Sequence, residues 1–86
     1  MSTSSFMQPA TAINVRNLIA EQLGVDAKRV SDEAHFLNDL GADWLDRLEL
    51  MIVIEDHYGI EIADDVVDKI VAVGDLMRFI EAHGHH

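Results

Sequence analysis

Between Asp43 and Gly59 the sequence carries a helix start, a long apolar-rich run and a helix stop, which dominates what so short a chain can fold into. Asp43 is a good N-cap because its carboxylate accepts the free N–H groups of a first helical turn, and Asp46 adds negative charge where the helix dipole favours it. Leu45, Leu48, Met51, Ile52 and Ile54 follow among acids, and Gly59 ends the run. A helix of this length spans about 22 Å. Its middle, Leu50–Ile54, is apolar on nearly every side, which predicts a central helix packed against more than one neighbour.

Other segments repeat the helical spacing. Ile13, Val15, Leu18, Ile19 and Leu23 predict a helix from about Thr11 to Leu23, stopped by Gly24. Val73, Leu76, Met77 and Ile80 predict another over Val73–His83, and Asp65–Lys69 suits one short turn. The β-branched pairs Ile60/Ile62 and Val66/Val67 are too brief and isolated to build a sheet. From Val25 to Ala42 isolated apolar residues, Val30, Phe36 and Leu40, are spaced to pin a long loop against a helical core, and loops of that length usually have a task. The expectation is an all-α domain over residues 11–84, with three main helices, one short one and a long first loop. Flexible segments are expected at 1–10, which lacks the basic start and apolar run of an export signal, and at 85–86.

An 86-residue chain buries only about 60–65% of the surface exposed when it is unfolded, so any pocket must be small. Cysteine is absent, which removes disulfides, thiolate metal sites and a cysteine nucleophile. Mean hydropathy near zero and the lack of an apolar run approaching ~18 residues predict no membrane span. The net charge of −10 opposes nucleic acid and anionic membrane surfaces and suits a basic protein partner. The acids are concentrated: Asp39, Asp43, Asp46, Glu49, Glu55, Asp56, Glu61, Asp64, Asp65 and Asp68 face only Arg47 within the same stretch and Lys69 at its edge. A solvated acidic face serving solubility alone is the alternative reading.

The run Leu40-Gly41-Ala42-Asp43-Trp44-Leu45-Asp46, followed by Leu48-Glu49-Leu50, resembles the acyl carrier proteins, which carry Leu-Gly-Ala-Asp-Ser-Leu-Asp at the start of the second helix. The likeness extends back through Glu21-Gln22-Leu23-Gly24-Val25 and forward through Glu55, Glu61-Ile62, Asp64-Asp65 and Lys69-Ile70. The resemblance implies a four-helix bundle and a non-catalytic, cytoplasmic, monomeric carrier of fatty acid biosynthesis. In that family the serine anchors 4′-phosphopantetheine, beside the positions matching Asp43 and Leu45. Here Trp44 stands in its place, and its indole is a donor without a nucleophilic oxygen. Ser2, Ser4, Ser5 and Ser31 lie elsewhere in the sequence. As written, the chain has no attachment point at the family's site.

By resemblance, Asp46, Glu49, Glu55 and Asp56 join Asp43 on a face that docks basic patches of fatty acid synthesis enzymes and phosphopantetheinyl transferase; Arg47 on the same face departs from the family's neutral or acidic choice, is spaced to pair with Asp43, and is expected to tune which partner fits. Leu48, Met51, Ile52, Ile62, Ile70 and Leu76 are core residues by periodicity, and in the family such positions line the acyl pocket. Trp44 either stays exposed for a partner or folds back over the apolar groove. Two explanations of the chain remain open, an intact carrier with one engineered substitution and a natural arm-free module that binds and regulates a carrier-dependent enzyme. A carrier of polyketide or peptide synthesis is a third. No metal site is expected: the acids lack calcium-loop spacing, and His83-Gly84-His85-His86 has no preset geometry. His57 beside Glu55 and Asp56 reads as a surface histidine, because no nucleophile accompanies it.

Overall fold

The structure, a computed structural model, describes residues 9–83; the remainder of the segments 1–10 and 85–86 lies outside them. Four helices follow in order: α1 (Pro9–Leu23), α2 (Trp44–Tyr58), α3 (Asp64–Lys69) and α4 (Val73–His83). A single 3₁₀ turn, Ala27–Arg29, interrupts the first loop. The described residues form an all-α four-helix bundle without a strand. α1 starts at Pro9, two residues before the position that apolar spacing predicted, because proline suits a first turn whose N–H groups have no intrahelical acceptor. At Gly59 the backbone turns left-handed, with φ 66°, and its N–H donates to the Glu55 carbonyl at 2.8 Å, so α2 stops where the sequence predicts.

The core gathers side chains from all four helices. Val15 and Ile19 of α1, Leu50, Met51 and Ile54 of α2, Val67 of α3, and Val73, Leu76 and Ile80 of α4 are all buried. The first loop contributes Val30, Phe36 and Leu40, the predicted pinning residues, and also Ala34 and Ala42. Backbone bonds hold that loop against the α3–α4 link: Phe36 N–H donates to the Val71 carbonyl at 2.9 Å, Val73 N–H to Ala34 at 3.0 Å and Gly74 N–H to Asp32 at 2.9 Å. The loop is thereby a fixed wall of the bundle, and it delivers the chain to the start of α2.

α2 packs against α1 and α3, as expected of a central helix, yet it is not apolar all round. Ile52 is 54% exposed, which corrects its assignment to the core and to an acyl pocket. The reason is angular: Leu45, Glu49, Ile52 and Asp56 recur at four- and three-residue intervals and form one outward stripe, while Leu50, Met51 and Ile54 turn inward.

Asp75 closes the start of α4. Its carboxylate accepts the N–H groups of Ala72 at 3.0 Å and Val71 at 3.1 Å and pairs with Arg78 at 2.5 Å. Burial pushes its pKa up, but the Ala72 and Val71 N–H groups and the Arg78 guanidinium outweigh that and hold it below the usual carboxylate value. A depressed folded pKa gives stability that is fully present above the unfolded value, about 4, and is lost as pH falls through the folded value. Asp75→Ala is therefore expected to cost about 1 kcal/mol at pH 7. It should also make the variant less sensitive than the parent to acid below about pH 4, as checked by thermal melts at pH 7 and pH 3.

Candidate functional site

The start of α2 is built by a reciprocal cap. Asp43, with extended backbone, accepts the Asp46 N–H at 2.9 Å, and Asp46 accepts the Asp43 N–H at 3.2 Å. Both carboxylates sit at the positive end of the helix dipole, so the place where an external anion would bind already holds the chain's own charges. Trp44 is the first residue of α2. Its side chain is 42% exposed, and the indole N–H donates to the Asp68 carboxylate of α3 at 2.8 Å. The ring is thus neither free in solvent nor folded into the core; it lies across from α2 to α3.

Arg47 stands one turn further along α2. Its Nη1 donates to the Ile70 carbonyl at 3.1 Å, just past the end of α3. No ion pair with Asp43 forms, which corrects that expectation: Asp43 is engaged by the Asp46 N–H, and the guanidinium reaches instead for a carbonyl at the C-terminal end of α3, where positive charge is favoured. Trp44 and Arg47 share a face, so two consecutive turns of α2 grip the end of the short α3. Neither Asp68 nor the Ile70 carbonyl was named as a site by sequence reasoning, because nothing local links residues more than twenty positions apart.

The acids separate into two groups. Glu49 and Asp56 are exposed on the outward stripe of α2, alternating with Leu45 and Ile52. Glu55 is half-buried, and its Oε2 accepts the Ile62 N–H at 2.6 Å, so it braces the α2–α3 connection rather than standing free on the acidic face. Met51, Ile62, Ile70 and Leu76 come together in the core, with Leu48 packed against it. His57 is exposed and meets Tyr58 edge-on, with ring centroids 4.6 Å apart. Burial pushes the Tyr58 pKa up. A shallow depression of about 370 Å³ on the first loop is lined by Arg29, Ser31, Glu33, Ala34 and Asp39, a polar lining unsuited to an acyl chain. Among the described residues no three metal-ligating side chains converge and no helix is long and apolar enough to cross a membrane.

The sequence profile described as "Phosphopantetheine attachment site" matches residues 14–80. The chain is 49% identical over 70 residues to the acyl carrier protein of Sinorhizobium fredii (strain NBRC 101917 / NGR234), covering 81% of this chain and 90% of that one. The acyl carrier protein AcpP of Rhizobium meliloti (strain 1021) is similar to the same extent, 49% over 70 residues with the same shares covered. This chain belongs to the acyl carrier protein family. Acyl carrier proteins are carriers, not catalysts, and their family group is 4′-phosphopantetheine. The residues at the start of α2 do not fit covalent attachment of that group. Trp44 has no hydroxyl, its N–H is already given to Asp68, and the flanking Asp43 and Leu45 supply an anion and an alkyl group.

Proposed function

We propose that the protein is an acyl carrier protein of fatty acid biosynthesis, acting in the cytoplasm, in a form that retains the carrier's docking face but cannot receive the phosphopantetheine arm. The observation that carries this reading is the start of α2, where a fully formed cap presents an indole instead of a hydroxyl. The outward stripe of α2 supports docking: Glu49 and Asp56 alternate with Leu45 and Ile52, giving a basic-patched enzyme both ion pairs and apolar contact. Asp46 adds charge at the head of that face, while Arg47, drawn onto the Ile70 carbonyl, leaves the acids on it largely uncompensated.

Intact mass after incubation with coenzyme A and a phosphopantetheinyl transferase tests the reading. The chain should remain unmodified, and Trp44→Ser should gain the arm. A Trp44→Ser chain that stays unmodified would sink the proposal that one residue separates this protein from carrier function.

The Trp44–Asp68 bond favours a second reading, a natural arm-free module that binds and regulates a carrier-dependent enzyme. A substitution imposed on an intact carrier has no reason to meet a partner at 2.8 Å on a neighbouring helix. Inhibition of a fatty acid synthesis enzyme by the unmodified chain is the expected result if this reading holds.

A further inference from the structure

Six large apolar side chains are conspicuously exposed among the described residues, and four of them belong to segments that hydrogen bonds join around the start of α2. Trp44, 42% exposed, and Leu45, 57% exposed, form the first turn of α2. Leu37, 61% exposed, is held at the entrance to that turn by the Gly41 N–H on its carbonyl at 3.1 Å and by the Ala42 N–H on the neighbouring Phe36 carbonyl at 2.7 Å. Val71, 44% exposed, is brought alongside by the Phe36–Val71 backbone bond and by Arg47 on the adjacent Ile70 carbonyl. Each belongs to a segment tied by hydrogen bonds to the others.

The geometry points to Trp44 as a preorganised anchor for a protein partner that offers an apolar pocket rimmed by lysine or arginine. This inference rests on the docking reading above and names the residues that would carry the contact. A tryptophan presents a large apolar surface with few rotatable bonds, and such residues dominate binding when flanking groups exclude water around them. The bond to Asp68 fixes the ring before the partner arrives, so little side-chain freedom remains to be lost. Leu37, Leu45 and Val71 supply the flanking apolar surface. Asp39, Asp43, Asp46 and Asp68 border it, and of the cations nearby Arg47 is turned onto a backbone carbonyl and Arg29 onto that of Asp39, leaving Lys69 beside Asp68. An apolar patch bordered by carboxylates is complementary to a pocket with a cationic rim.

Calorimetric titration of a purified phosphopantetheinyl transferase, without coenzyme A, by the chain and by the variants Trp44→Ala and Leu37→Ser tests the anchor, with circular dichroism verifying that each variant is helical. Trp44→Ala should bind about tenfold or more weakly, and Leu37→Ser several-fold more weakly. Trp44→Ala binding within twofold of the parent would overturn the anchor. If Trp44→Ser accepts the arm while the parent chain does not bind, the anchor fails and the docking reading survives. If the parent does not bind and Trp44→Ser is not modified, both fall.

Discussion

Phe36→Ala should cost about 3–5 kcal/mol, the usual range for removing a fully buried aromatic side chain. Phe36 has no solvent exposure and is among the largest completely buried side chains of the domain. A domain of this size has a total stability of roughly 4–13 kcal/mol, so the variant loses about a quarter of it or more. The damage is not confined to one cavity. Phe36 N–H bonds Val71 and its carbonyl accepts Ala42 N–H, so the residue fixes the first loop both to the α3–α4 link and to the entrance of α2. Thermal unfolding followed by circular dichroism should show a midpoint lower by about 12 °C or more, at about 4–8 °C per kcal/mol. Leu37→Ala, one residue along but facing outward, should stay within about 0.5 kcal/mol of the parent. Equal effects at the two positions would mean that the loop does not pack as described.

That contrast shows which parts of the structure are legible from residue order. Spaced apolar residues such as Phe36 and Leu40 announce a pinned loop because burial is the only return on placing them among polar neighbours. Asp43 and Gly59 mark the bounds of α2 because capping and a left-handed backbone are local chemistry. The carrier signature is legible for the same reason, since it is one contiguous run. Ile52 was misplaced because an apolar belt has no intrinsic inside; only the positions of α1 and α3 decide which residue faces out. Arg47 was misplaced because an i, i+4 acid looks like a partner until the far carbonyl of Ile70 is in view. Trp44 offers the sharpest case. The sequence shows that its indole cannot replace a hydroxyl, while the bond to Asp68 emerges only when α3 folds back beside α2.

Glu55 is where an expected docking residue and a structural one coincide, and two substitutions separate the roles. Its Oε2 holds the Ile62 N–H at 2.6 Å in a half-buried setting, and Ile62 itself is buried. Glu55→Ala leaves that N–H without its charged acceptor and should cost about 1.5–3 kcal/mol. Glu55→Gln keeps an acceptor oxygen on a side chain of the same length and should cost less than about 1 kcal/mol, since a neutral hydrogen bond replaces a charge-assisted one. Chemical denaturation of the two variants measures the difference. Equal, small losses would show that the Ile62 bond contributes nothing to stability. If docking uses the Glu55 charge, then Glu55→Gln weakens binding to a basic-patched enzyme while the fold is retained, whereas Glu49 and Asp56, exposed on the outward stripe of α2, report docking without that complication. A binding loss in Glu55→Ala alone therefore reports a loosened α2–α3 connection, and only a loss shared by Glu55→Gln assigns the carboxylate to the partner.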